Sequence, residues 1–165
     1  MKVQSQASIE IKASPAQVFD FATAVSTLPK VFKGYGVIPA IRSAEIVGGG
    51  EMRGGAIRRV TNSDNSAIDE EIIQLTRPTK QTYKIVSGFK PPFSYLIRYG
   101  GGDWTFTPSN DSTIVTWKFY FELTSVLAYP IMAFIMSAQF QKAQQICLTE
   151  IKKYVEGIPR HRVSA

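Results

Sequence analysis

The chain has 165 residues, and only one of them is a cysteine and one a histidine. Cys147 therefore has no partner for an internal disulfide, and no cysteine cluster exists to hold a metal. It sits between Ile146 and Leu148 in a helical pattern, which suits a small core residue better than a reactive thiol. His161 lies in the polar segment Pro159–Ala165. A histidine-based zinc site or a Ser-His-Asp triad needs a histidine in the folded body, so both are disfavoured. Long apolar runs are also missing. The longest, Val126–Met136, falls well short of the roughly 18–20 residues of a membrane-spanning helix. The amino-terminal stretch alternates like a strand and carries no apolar signal core. A soluble, cytoplasmic protein is the expectation. The net charge is +6, but the basic residues are scattered apart from Arg58-Arg59, Lys152-Lys153 and Arg160–Arg162. A solvated surface accounts for them better than a nucleic-acid patch does. Gly48–Gly50 and Gly100–Gly102 are too short and wrongly placed for a phosphate-binding loop, and read as turns or bulges. No cofactor is expected.

What is present is a large apolar fraction, 44%, against 19% charged residues. That balance belongs to a folded domain with a real core. The most informative stretch is the last third. In Thr113–Glu122, Thr113, Val115, Trp117, Phe119 and Phe121 share one face, and polar residues occupy most of the other. Period two marks a strand with one buried face. A helix over Leu127–Glu156 follows, apolar at its start and amphipathic afterwards. Met132, Met136, Phe140, Ala143 and Cys147 form a stripe on it at helical spacing. An aromatic sheet face and this stripe are expected to cover each other, either as a filled core or around an apolar pocket.

The rest of the chain has a clear order. Lys2–Lys12 alternates as a first strand. Ser14 is suited to cap a helix, with Pro15 in its first turn and Gln17 completing a capping box. A second short helix is expected over Leu28–Phe32. Strands follow over Ile41–Val47, Gly55–Asn62, Ala67–Thr76, Thr82–Ser87 and Tyr95–Thr107, the last interrupted by Gly100–Gly102. Ser63–Ser66 is a turn sequence, and Lys90-Pro91-Pro92 marks a loop. Strands joined by short turns imply an antiparallel meander, and the segregated helices make the class α+β. One domain is expected over residues 1–158, with 159–165 as a tail.

That order resembles the helix-grip fold of the START-like superfamily, which includes the polyketide cyclase/dehydrase and lipid-transport proteins and the birch-pollen-allergen-like proteins. The resemblance covers about residues 2–155. The opening IEIKASPAQVFDFATAVSTLPKVF is similar to the family's first strand and helix, with Ser14-Pro15 and Val18-Phe19 at the matching positions. GGAIRRVTNSDNSAIDEEIIQLTRP resembles its Gly-x-x-Arg strand, tight turn and Glu-bearing strand ending in Pro, through Gly55, Arg58, Glu70, Ile72 and Pro78. STIVTWKFYFEL resembles its late Thr-x-Val-x-Trp strand. Asn65 stands where glycine is common, and Arg77 precedes Pro78 where an acidic or apolar residue is usual. The resemblance implies a curved antiparallel sheet of about seven strands gripping the last helix, with a hydrophobic cavity between them.

A cavity of that kind is expected to bind or transport a hydrophobic small molecule of lipid, polyketide or aromatic type. The candidate lining residues are Trp104, Phe106, Trp117, Phe119 and Phe121 from the sheet, Met132, Met136 and Phe140 from the helix, and Tyr83. Arg58 and Glu70 fall opposite one another across the Ser63–Ser66 turn. Facing inward they would orient a polar ligand head. Facing outward they would be an exposed cross-strand pair of little worth. The residues alone favour the outward arrangement slightly, because Arg59, Asp69 and Glu71 suit either role. Two alternatives stand beside binding. A cyclase- or aromatase-like enzyme would draw on Arg58, Glu70, Tyr83 and Tyr99, although binding is favoured over catalysis. A protein-interaction module would have a filled core. The run Val126–Met136 reads as the covered start of the last helix rather than as a membrane contact.

Overall fold

The computed structural model of the protein describes residues 1–157, so the expected tail at 159–165 lies outside the described residues. Seven antiparallel strands form one sheet: β1 (Lys2–Ile11), β2 (Ile41–Ile46), β3 (Ile57–Asn62), β4 (Ala67–Thr76), β5 (Lys80–Ser87), β6 (Ile97–Ser109) and β7 (Ser112–Leu123). Their spatial order is β1-β7-β6-β5-β4-β3-β2. The meander from β2 to β7 thus runs through neighbours, and β1 closes onto β7 at the far edge. Two helices, α1 (Pro15–Thr23) and α2 (Leu28–Val31), connect the two edge strands. The class is α+β, as the order of segments predicts, and the architecture is the helix-grip fold that the resemblance implies.

Local chemistry explains the helix entry. Ser14 accepts a hydrogen bond from the backbone N–H of Gln17, and the Gln17 side chain reaches back to the Ser14 backbone N–H. Two amides that a helix start leaves without partners are satisfied reciprocally. Asn65 takes a positive φ of 63° in the β3–β4 turn, a conformation that asparagine tolerates better than most residues.

The carboxy-terminal helix departs from the expected single run. A 3-10 turn (Val126–Ala128) leads into α4 (Tyr129–Phe134), a π-helical segment follows (Ile135–Phe140), and α5 (Gln141–Gly157) completes it. The N–H of Gln141 bonds to the carbonyl of Met136, a five-residue step that widens the helix by one residue. Side-chain periodicity alone does not reveal such a widening. The stripe Met132, Met136, Phe140, Ala143 and Cys147 nevertheless stays buried throughout.

Two further differences concern β6. A short helix, α3 (Phe93–Leu96), precedes it where extended chain was expected from Tyr95. The glycines at 100–102 do not break the strand; they lie inside it. A Cβ on Gly100 would meet the Phe121 ring at 2.8 Å, and one on Gly102 would meet the Tyr83 ring at 2.7 Å. The run is there so that aromatic rings can lie against bare backbone. Gly102→Ala is expected to cost about 1–3 kcal/mol through overpacking against the buried Tyr83, measurable as a lower midpoint in urea with an unchanged slope.

Candidate functional site

The concave face of the sheet and the π-helical segment enclose a cavity of about 340 Å3. That is at the lower end of the range for small-molecule sites, roughly 300–1,000 Å3. Its floor is aromatic. Trp104 and Trp117 are cross-strand partners whose rings stack at 4.5 Å. Phe119 stacks on Phe140 of the helix at 4.2 Å, and Phe121 packs edge-on against Phe119 at 4.9 Å. Phe32, Ile38 and Ile41 line the wall that follows α2, and Phe89 and Phe93 line the wall that leads to β6. The exposed Val37, Asp64, Lys90 and Pro91, which also belong to the lining, mark where it reaches the surface.

One side of this apolar space is polar. Arg58 and Glu70 are register partners across the β3–β4 hairpin. Arg58 Nε donates to Glu70 Oε2 at 2.7 Å, and Nη2 lies 2.6 Å from the same oxygen. Their side chains are only 5% and 8% exposed. The pair faces inward, contrary to the slight preference for an outward one. The outward pair is Arg59–Asp69, with Arg59 46% exposed. The alternation of the strand puts Ala56, Arg58 and Val60 on the buried side, so the apolar neighbours at even positions set the arginine's direction. The Arg59 guanidinium, hydrogen-bonded to Asp69, holds that carboxyl below its ordinary pKa.

Tyr83 stands beside the pair, with the Arg58 guanidinium 5.5 Å from its ring centre. Its hydroxyl accepts a hydrogen bond from Trp117 Nε1 at 3.3 Å. Burial above all, and then the Glu70 charge, push its pKa upward, while Arg58 opposes them. The phenol therefore stays protonated and works as a donor rather than a base. Gln81 shares this face of β5 and lines the cavity. It is 3% exposed, and its Nε2 has no partner. Its inward direction follows from parity with Tyr83 and Ile85 in a strand that starts at Lys80, two residues before the start expected from the sequence, and glutamine is usually a surface residue.

Of the residues expected to line the cavity, Arg58, Glu70, Tyr83, Trp104, Trp117, Phe119, Phe121 and Phe140 do so. Phe106, Met132 and Met136 do not. They are buried in the core outside the cavity lining, and Phe106 packs edge-on against Phe19 at 5.1 Å. Beside the expected Phe140, the helix contributes Ile135 to the cavity. Tyr99 is on the outer side of the sheet, packed against Tyr120 with Lys84 Nζ 4.5 Å from its ring centre. The alternation that turns Trp104 and Phe106 inward turns Tyr99 outward, so it drops out as a partner of the pair.

Two polar contacts fasten the helix around this space. Gln144, fully buried, donates to the Trp117 carbonyl at 3.1 Å. Gln139 Oε1 accepts from the Val37 N–H at 2.7 Å, joining the loop after α2 to the π-helical segment. Cys147 is fully buried, and burial pushes its thiol pKa upward, which fits a core role. The run Val126–Met136 is only half covered: Ala128, Met132 and Met136 are buried, whereas Leu127, Ile131 and Phe134 are exposed. Among the described residues no helix is long and apolar enough to cross a membrane. Nor do any three or more His, Cys, Asp or Glu residues come together to hold a metal ion.

A sheet gripping a helix around an internal cavity defines a START-like protein. Residues 2–156 match the model of the family described as polyketide cyclase/dehydrase and lipid transport, and the chain belongs to that family. Among curated proteins, none matches. Solved structures share the fold at low identity. Ara h 8.0201 is 20% identical with a TM-score of 0.69, over 95% of this chain and 99% of its own. Norcoclaurine synthase from Thalictrum flavum, solved with dopamine and hydroxybenzaldehyde, is 14% identical with a TM-score of 0.72, over 96% and 88%. The di-domain ARO/CYC BexL is 15% identical with a TM-score of 0.69, and the match covers 94% of this chain and 50% of that one.

Proposed function

We propose that the protein binds and carries a hydrophobic small molecule of lipid, polyketide or aromatic type in the cavity between sheet and helix. The observation that carries this reading is the aromatic-walled cavity itself, with a single polar side at Arg58, Glu70 and Tyr83. Apolar walls supply affinity through removal of surface from water, and a few placed polar groups supply orientation. Family membership supports the same reading.

A cyclase- or aromatase-like activity is the second reading. It is favoured by the convergence of Arg58, Glu70 and Tyr83 in one lining, types that polarise a carbonyl and move protons. The raised pKa of Tyr83 limits that residue to donating. A protein-interaction module with a filled core finds no support in a molecule with a cavity of this size.

Both tryptophans of the chain line the cavity, so their fluorescence reads its occupancy directly. Titration with an apolar aromatic compound such as methylnaphthalene is expected to quench that emission saturably. Native mass spectrometry of protein purified from cells is expected to show a co-purified apolar compound. Unchanged emission together with a bare mass would end the carrier reading. Turnover of a bound polyketide, lost in Arg58→Lys with binding kept, would move the conclusion to the enzyme.

A further inference from the structure

We infer that the polar side of the cavity selects an apolar ligand bearing a neutral hydroxyl group and rejects the corresponding carboxylate, with Glu70 as the residue that decides. The inference rests on the reading of the cavity as a ligand site and names the class of ligand.

Both contacts from Arg58 converge on one carboxylate oxygen, Glu70 Oε2, at 2.7 and 2.6 Å. Among the described residues, Glu70 Oε1 and Arg58 Nη1 make no hydrogen bond. The Tyr83 oxygen accepts from Trp117 Nε1, and its own proton has no acceptor among the described residues. The cluster of Arg58, Glu70 and Tyr83 thus offers a free carboxylate oxygen, Glu70 Oε1, beside free donors on Arg58 and Tyr83, and Gln81 Nε2 in the same lining is a further donor without a partner. A hydroxyl group both donates and accepts, so it completes this set. A carboxylate only accepts. It would leave Oε1 unmatched and place a second negative charge beside Glu70, where the buried cation, Arg58, is already paired. Pairing within the protein has removed the net positive charge that an acidic ligand would need. Burial keeps Tyr83 protonated, so it adds a donor and no charge.

Three compounds with one ring system separate the possibilities: naphthylmethanol, naphthoic acid and methylnaphthalene, each substituted at the same ring carbon. Binding to the full chain at neutral pH is read by tryptophan emission and by calorimetry. The wild-type protein is expected to bind the alcohol about tenfold or more tighter than either the hydrocarbon or the carboxylate. Glu70→Gln keeps the shape and removes the charge, freeing Arg58 to pair with a ligand. In this variant the carboxylate is expected to gain about tenfold and overtake the alcohol. A carboxylate that binds Glu70→Gln no better than wild type overturns the inference, as does a wild-type preference for the acid. The double variant Arg58→Met with Glu70→Leu guards against a misfolded single variant. It is expected to bind methylnaphthalene as before and to lose the alcohol's advantage. An advantage retained there would also overturn the proposal. Binding of none of the three to wild type would instead sink the cavity-ligand reading, and this one with it.

Discussion

Glu70→Ala is expected to lower stability by about 3–5 kcal/mol, a large share of the roughly 5–15 kcal/mol that holds a domain folded. The cause is what remains. Arg58 is 4% exposed and would keep its charge in a buried site with no carboxylate beside it. Arg58→Ala is expected to do comparable harm by stranding Glu70. The pair as a whole is a different matter. Replacing both members with Met and Leu is expected to be close to neutral or even stabilising, because desolvating two ions offsets most of their attraction. Arg59→Ala, one residue away but in the exposed pair with Asp69, is expected to cost less than about 1 kcal/mol. Urea midpoints of the four variants check the whole pattern. Equal losses at Arg58 and Arg59 would contradict the inward orientation of the first.

The second large effect is expected at Phe140→Ala, a loss of about 3–5 kcal/mol. Phe140 is the helix side chain that enters the aromatic face of the sheet. It stacks on Phe119 at 4.2 Å and packs against Trp117 at 5.8 Å and Phe121 at 6.3 Å. Its removal takes away apolar contact on three sides and leaves space that rigid rings cannot fill. Because that space joins the cavity, the variant is also expected to accept bulkier ligands than the wild type. Met136→Leu, in the core away from the cavity, is expected to change ligand size preference little and stability by less than about 1.5 kcal/mol. Denaturation curves and a series of alkylated naphthalenes read the two effects separately.

Much of the molecule was legible as pattern. The buried face of β7, the stripe on the carboxy-terminal helix, the capping box at Ser14 and the β3–β4 register that sets Arg58 against Glu70 all follow from spacing and residue type. Each depends on contacts between near neighbours or on an alternation that one strand carries by itself. Tyr99 was not: the parity with Trp104 that sends it to the outer side runs through Gly100–Gly102, and those glycines read as a break until the structure shows them inside the strand.

Other features were not readable, each for a physical reason. Gly100–Gly102 looks like a turn until the rings of Phe121, Tyr83 and Tyr120 occupy the space of the missing side chains. Those rings come from neighbouring strands, so no local window contains the cause. The π-helical segment Ile135–Phe140 keeps the apolar stripe buried while adding one residue to a turn, which periodicity is too coarse to register. Met132 and Met136 carry the chemistry of a pocket wall but lie in the core, because which part of a helix touches a void depends on where the sheet curves away.

The sequence by itself determined the order of segments, the inward faces of β1 and β7, and a set of aromatic and charged residues too large to be accidental. It also left a histidine- or cysteine-based site without material. Only the tertiary structure decided that Arg58 and Glu70 share one side of a cavity with Tyr83, and that helix and sheet stop short of closing. Alternation along a strand is a local consequence of backbone geometry. A void is a property of two surfaces at once, set by the curvature of one and the widened turn of the other.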